Sequence, residues 1–118
     1  KSKIESDQIW HLTWQNIFEF IRVVTGRFPD GDTPFFIDEA LERARFLLAS
    51  PSLQLIHPGP RHFEIFSEVS ARTPVVRSGF IHDARLVAIM VENGVRELYT
   101  ADEQFRRFRD IQVINPFV

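Results

Sequence analysis

The sequence of 118 residues contains no cysteine, one methionine and five glycines. The absence of cysteine excludes disulfide bonds, thiolate metal ligands and a cysteine nucleophile. Long apolar runs are also missing, because the longest stretch without a charged residue, residues 46–60, contains two prolines before its end. No membrane-spanning segment is therefore predicted. No signal-peptide pattern opens the sequence, and we expect a cytoplasmic protein that does not associate with a membrane.

The overall composition is typical of a globular protein, with 44% hydrophobic and 25% charged residues. The net charge is −2, from 14 basic and 16 acidic residues, so the overall charge does not attract the chain to nucleic acid. Twelve of the 14 basic residues are nevertheless arginine, the side chain that is better suited to bidentate contact with phosphate.

The hydropathy pattern predicts strands that alternate with helices, which is typical of an α/β protein with a largely parallel sheet covered on both faces. The predicted strands occupy residues 9–14, 53–57, 95–100 and 111–114. The predicted helices occupy residues 15–25, 33–49, 61–70, 79–93 and 103–108, and Thr33 is the expected N-cap before Pro34.

For the first two helices the sequence also predicts which side chains are buried. The first has apolar residues on nearly every side, so we expect it to be buried. The second should turn four apolar residues inward, namely Ile37, Leu41, Ala44 and Leu48.

Three acidic residues fall where they could share a ligand, because ligands of parallel sheets collect outside the carboxyl ends of the strands. Glu19 lies in the apolar first helix, Asp102 follows the third strand, and Asp83 opens the helix before that strand. Each also has an ordinary explanation: an ion pair of Glu19 with Arg22, a helix cap at Asp102, and a favourable helix dipole at Asp83. Converging carboxylates repel unless a cation such as Mg²⁺ or Mn²⁺ neutralises them. Together the three acids favour metal-assisted hydrolysis of a phosphodiester.

Residues 81–105 read I-H-D-A-R-L-V-A-I-M-V-E-N-G-V-R-E-L-Y-T-A-D-E-Q-F. This segment resembles the second half of a PIN domain. It is similar in particular to VapC-type toxins of bacterial toxin–antitoxin pairs. The earlier I-F-E-F-I-R-V-V-T and the ending I-Q-V-I-N-P-F are similar to the same family, so the resemblance covers nearly the whole chain. It implies a three-layer α/β/α sandwich and a metal-dependent nuclease that cleaves RNA and is silenced by a cognate antitoxin. A homodimer is a further expectation from the family.

Matched residue by residue, the resemblance implies that Glu19, Asp83 and Asp102 are catalytic acids and metal ligands. Thr100 matches the polar residue of the T-x-D motif, which helps to orient the neighbouring acid. The family opens with a strand that carries a further acid in an Asp-Thr-Asn-like motif, and nothing here matches it. We therefore expect residues 1–118 to form a single PIN-like domain without its first strand and following helix.

Four arginines near the acidic residues are candidates for RNA contact: Arg72, Arg77, Arg85 and Arg106. Basic side chains beside an acidic pocket suit an RNA backbone, whereas pairing with Glu103 and Asp110 would make them an ordinary solvated surface. Three interpretations stay open. The first is a divalent-metal-dependent endoribonuclease, and the second is a catalytically inactive PIN-like module that binds an antitoxin or another protein partner. The third is a domain whose acids are only caps and surface charges.

Overall fold

The computed structural model describes residues 9–26, 35–74 and 77–116, so the predicted N-cap at Thr33 lies outside the described residues. The chain divides into two compact units, Lys1–Ile56 and His57–Val118. Within its described residues, each unit contains two α-helices and one pair of parallel strands. The predicted α/β class with parallel strand pairing is confirmed. No helix in the described parts is long and apolar enough to cross a membrane.

The first unit follows the predicted order of elements. Strand β1 (Trp10–Leu12) precedes helix α1 (Trp14–Thr25), and helix α2 (Ile37–Leu48) precedes strand β2 (Leu53–Leu55). The two strands pair in parallel, with Trp10 opposite Leu53.

A capping box at Thr13 explains why the chain passes from strand to helix within one residue. Oγ1 of Thr13 accepts a hydrogen bond from the backbone N–H of Asn16 at 3.1 Å. The backbone N–H of Thr13 in turn donates to Oδ1 of Asn16 at 2.9 Å. These bonds satisfy donors that the first helical turn leaves without a partner, and they set the start of α1 at Trp14.

Helix α1 is not buried on every side, so the sequence-based expectation was wrong. Ile17 is buried, whereas Phe18 is 62% exposed and its neighbour Trp14, whose ring lies 6.2 Å from that of Phe18, is also exposed. Within the described residues of the first unit, α1 packs against α2, and packing against one helix covers one side of α1. An apolar sequence shows which side chains could be buried, but not how many neighbours are present to bury them.

Helix α2 contacts its neighbours through small side chains rather than large ones. Ala40 and Ala44 are buried, as the sequence predicted for Ala44. The predicted inward positions Ile37, Leu41 and Leu48 are instead exposed. Because Ala40 and Ala44 lie four residues apart on one face, they form a narrow stripe on which another backbone can approach closely. The larger apolar residues lie beside this stripe.

The second unit contains helix α3 (His62–Arg72), helix α4 (Phe80–Glu92), strand β3 (Glu97–Tyr99), a 3-10 helix (Glu103–Arg107) and strand β4 (Gln112–Ile114). β3 and β4 pair in parallel, and α3 packs against α4. Residues from α3, α4, the 3-10 helix and β4 form one buried core: Ile65, Val69, Ala84, Val87, Ala88, Phe105, Phe108 and Val113. All these elements match the predicted ones to within a few residues.

The carboxyl end of α4 is fastened to the segment before α3. The Glu92 carboxylate accepts hydrogen bonds from the backbone N–H groups of Gly59 at 2.8 Å and Arg61 at 2.9 Å. Nδ2 of Asn93 donates to the carbonyl oxygen of His57 at 2.9 Å. A Cβ atom at Gly59 would lie 2.9 Å from Cδ of Glu92, so a larger residue would displace the carboxylate from these hydrogen bonds. The Pro-Gly-Pro turn is thereby held against α4.

Replacement of Glu92 should show how much this attachment contributes. We expect Glu92→Ala to lower the free energy of unfolding by about 2 kcal/mol, because two backbone donors lose a charged acceptor. Glu92→Gln should lower it less, since the amide oxygen can still accept. Urea unfolding followed by circular dichroism measures both.

Glu68→Ala is the matched control in the same unit. Glu68 makes only an exposed ion pair with Arg61 at 3.6 Å, and such a pair contributes roughly 0–1 kcal/mol. A Glu92→Ala protein as stable as the Glu68→Ala protein would contradict a stabilising role for Glu92.

Candidate functional site

Asp83 lies in the first turn of α4 and is half-buried. Its neighbour Ala84 is fully buried in the core of the second unit, so core packing fixes the position of Asp83. Burial raises the pKa of the Asp83 carboxyl, the negative charge of Asp102 raises it further, and the charge of His82 lowers it. Two acids that were predicted to share a site are therefore close enough to interact.

Asp102 makes one hydrogen bond through its side chain and another through its backbone. Its Oδ1 accepts from the backbone N–H of Gln104 at 3.0 Å, as an N-cap of the 3-10 helix. Its own backbone N–H donates to Oγ1 of Thr100 at 3.0 Å, and the backbone N–H of Thr100 donates to the carbonyl oxygen of Ile114 at 3.0 Å. The two residues of the T-x-D motif are thus bonded to each other, which fits an orienting role for Thr100. Capping uses one carboxylate oxygen and leaves Asp102 a second one to offer a ligand.

Glu19 lies in the first unit and forms the ordinary ion pair that the sequence offered as an alternative. Its Oε1 accepts from Nε of Arg22 at 3.1 Å and also from Nη2 of the same guanidinium. This hydrogen bonding lowers the pKa of Glu19. The side chain is 49% exposed, so the expectation of a carboxylate within a buried run was wrong.

The predicted ligands are divided between the two units, with Glu19 in the first and Asp83 and Asp102 in the second. Within neither unit do three or more histidine, aspartate or glutamate side chains of the described residues form a group that could hold a metal ion. Asp83 and Asp102 interact within the second unit. That Glu19 joins them stays a prediction.

Two of the four candidate arginines are engaged in ion pairs. The Arg72 guanidinium donates to Oδ1 of Asp110 at 2.7 Å, and the Asp110 side chain is only 10% exposed. Arg106 pairs with Glu103 at 2.9 Å and donates to the carbonyl oxygen of Val113 at 3.2 Å. These are the pairings that the sequence offered as an alternative to RNA contact.

The remaining two candidate arginines, Arg77 and Arg85, are exposed on either side of the α4 start. They are therefore the better placed of the four to meet a polyanion.

A cavity of about 290 Å³ lies at the start of α4, lined by Arg77, Ser78, Gly79, Phe80 and Gln104. Two of the lining residues, Phe80 and Gln104, are close in sequence to the two acids. Phe80 precedes Asp83 by one helical turn, and the Gln104 backbone is hydrogen-bonded to Asp102. Ser78 has φ 48°, a left-handed conformation that non-glycine residues seldom adopt.

Neither Phe80 nor Gln104 was identified from the sequence. Spacing was the only signal, since Phe80 lies three residues before Asp83 and Gln104 lies two residues after Asp102. A phenylalanine at a helix start and a glutamine in a polar run have no pattern that distinguishes them from ordinary positions.

The raised pKa of Asp83 predicts how stability depends on pH. Between its ordinary value of 3.8 and its higher value in the folded protein, the folded chain retains a proton that the unfolded chain has released. The free energy of unfolding therefore falls as pH rises through this window, and the loss persists at neutral pH. Asp83→Asn cannot ionise, so it should be more stable than the wild type at neutral pH, with a difference that shrinks at pH values below 3.8. Urea unfolding across this pH range measures it.

Asp38→Asn is the matched control for this measurement. Asp38 also lies in the first turn of a helix, α2, and is exposed, so its charge benefits from the helix dipole. Its replacement should give no gain in stability at neutral pH. An Asp83→Asn protein that is no more stable than the wild type would show that the charge is not disfavoured there.

Comparison with known proteins identifies relatives over most of the chain. VapC ribonuclease Mb2897 of Mycobacterium bovis and ribonuclease VapC43 of Mycobacterium tuberculosis are each 34% identical over 99 residues. This match covers 82% of the chain and 64% of each relative. Ribonuclease VapC48 of Mycobacterium tuberculosis is 27% identical over 108 residues, which cover 91% of the chain and 72% of the relative. No family model matches the chain.

These similarities extend well beyond the segment that carries Asp83 and Asp102. The chain spans 64% of the length of the first two relatives. The similarities to these relatives agree with the α/β character and the parallel strand pairs of the two units. Over most of its length the chain is similar to VapC-type ribonucleases.

Proposed function

We propose that the protein is a divalent-metal-dependent endoribonuclease, the toxin component of a bacterial toxin–antitoxin pair. The observation that carries this function is the interaction of Asp83 with Asp102 at the start of α4, where burial and then the charge of Asp102 raise the pKa of Asp83. Uncompensated acids of this kind are frequent at functional sites. The names of the relatives, which are ribonucleases, supply the substrate class.

The chemistry of these donors fits a hard divalent cation. Mg²⁺ and Mn²⁺ prefer carboxylate oxygens, and a positive charge would relieve both the burial of Asp83 and its repulsion by Asp102. We infer that Asp83 and Asp102 would hold the ion, with Glu19 as a third ligand. The ion would supply an activated water and would stabilise negative charge on the phosphate.

The residues around the acids would position the substrate and the ligands. Thr100 fixes the backbone of Asp102, and the Gln104 N–H fixes one of its carboxylate oxygens. Arg77 and Arg85 would contact phosphates on either side of the scissile bond. Glu19 would have to share its carboxylate between the ion and Arg22, which now holds it.

A cleavage assay tests the reaction. We expect the protein to cleave RNA in the presence of Mg²⁺ or Mn²⁺, and we expect EDTA to abolish cleavage. Asp83→Asn should slow it by about 100-fold or more, because a charged ligand and its activation of water are lost. Asp38→Asn changes an equivalent first-turn aspartate of α2 and should cleave at the wild-type rate. Cleavage that persists in EDTA, or equal loss in both variants, would refute the assignment.

Calorimetric titration of Mn²⁺ separates a metal site from a set of surface charges. Wild-type protein should bind the ion with an affinity that Asp83→Asn lowers at least tenfold, since even supporting residues of metal sites contribute about 10–100-fold. Glu19→Gln should also lower the affinity if Glu19 is the third ligand. An unchanged affinity in Glu19→Gln would limit Glu19 to its ion pair with Arg22.

A second candidate function is a catalytically inactive module that binds an antitoxin or another protein partner. It is favoured by the ion pair of Glu19 with Arg22, which already occupies the carboxylate of one predicted metal ligand. The exposed Trp14 and Phe18 of α1 would then contribute to a protein-binding surface. This function predicts antitoxin binding without metal-stimulated cleavage. The cytoplasmic location and a homodimer stay expectations from the family resemblance.

A further inference from the structure

We propose that the cavity at the start of α4 binds one nucleobase of single-stranded RNA next to the phosphate that is cleaved, so that its lining contributes to sequence preference. This inference rests on the proposed ribonuclease function. The cavity is lined by Arg77, Ser78, Gly79, Phe80 and Gln104. Its lining combines an aromatic ring, an amide and a cation.

The size of the cavity limits what it can hold. Its volume of about 290 Å³ is at the lower end of the range of roughly 300–1,000 Å³ for small-molecule sites. Such a space suits a single base rather than a duplex or a folded peptide segment. Single-stranded RNA is commonly recognised in this way, by bases that leave the stack and enter pockets with an aromatic wall.

Phe80 provides that aromatic wall. The Arg107 guanidinium lies 4.8 Å from the centre of its ring, a cation–π contact that holds the ring from one side. A ring has two faces, so Phe80 can still stack with a base on its other face. Base–aromatic stacking is tolerant of sequence, which makes Phe80 a source of affinity for any base.

Gln104 provides the group that can distinguish one base from another. Its side-chain amide has both a donor and an acceptor, the combination that pairs with a base edge. Its backbone N–H is bonded to Oδ1 of Asp102, so the amide is attached at a fixed place relative to the acid. Arg77 also lines the cavity, is exposed, and is suited to the adjoining phosphate.

The position of this cavity connects recognition to cleavage. Phe80 and Asp83 are neighbours on one face of α4, and Gln104 and Asp102 are joined by a hydrogen bond. A base held between Phe80 and Gln104 would therefore bring its own phosphate to Asp83 and Asp102. Bases further along the strand would lie outside this cavity and be read less strictly.

Binding can be measured apart from cleavage. We suggest fluorescence anisotropy of labelled single-stranded RNA oligonucleotides, each rich in one base, with Asp83→Asn protein in EDTA. This variant should bind RNA without cutting it, so the result does not depend on a bound metal. The affinities should differ between the oligonucleotides.

Three substitutions in this background should then give different results. Phe80→Leu should weaken binding of every oligonucleotide about tenfold, the loss of one base–aromatic stack, and leave the salt dependence unchanged. Arg77→Gln should reduce the slope of log affinity against log salt by about 0.7, the value for one phosphate contact with a single strand. Gln104→Ala should reduce the difference between bases more than it reduces affinity.

Phe63→Leu is the matched control, because Phe63 is an exposed phenylalanine on α3 of the same unit and does not line the cavity. It should bind RNA as the background protein does. Thermal melting of each variant shows whether it is folded, and Gln104→Ala, at an exposed position, provides a second test if Phe80→Leu unfolds.

Two results would overturn the nucleobase site. One is equal RNA binding by Phe80→Leu and Phe63→Leu, and the other is a base preference that Gln104→Ala leaves unchanged. If wild-type protein still cleaves RNA in either case, the ribonuclease function stands without this site. Phe80-dependent binding without any metal-dependent cleavage would instead support the site and reject the nuclease.

Discussion

The candidate site depends on the interaction of two carboxylates, Asp83 and Asp102, in the second unit. The backbone of each acid is joined to a buried core residue: Asp83 precedes Ala84 on α4, and the carbonyl oxygen of Asp102 accepts from the backbone N–H of Phe105 at 3.4 Å. Burial and, after it, the charge of Asp102 disfavour the ionised form of Asp83 and raise its pKa. A fold that keeps like charges together against this cost indicates a use for them, because natural chains commonly retain destabilising groups where a function requires them.

The regular elements were predictable from the sequence, and their burial was not. Apolar spacing and the Asn-Gly pair located α4 to within one residue at each end, as Phe80–Glu92. Periodicity describes one helix in isolation, however, and the exposure of Phe18 depends on how many elements pack beside α1. In α2 the packing stripe follows Ala40 and Ala44, because close approach favours small residues over the larger ones that a hydropathy scale ranks higher.

The candidate site was predictable where its residues are close in sequence and only in part where they are distant. Thr100 and Asp102 lie two residues apart, and their hydrogen bond agrees with the pattern that singled them out. The partner of Arg72 is Asp110, 38 residues further on, and no local pattern shows whether such an arginine faces a carboxylate or solvent. A composition that is nearly neutral overall likewise gives no information on where cations and anions meet.

The attachment of Glu92 and Asn93 to residues 57–61 affects the opposite end of the same helix. With one end tied to the Pro-Gly-Pro turn and its middle buried in the core, α4 has little freedom to fray or to shift along its axis. Asp83 could therefore separate from Asp102 only if a large part of the second unit unfolded locally at the same time. Amide protons in α4 should therefore exchange together with those of the core, and a ligand of the acid pair meets an arrangement that is already formed.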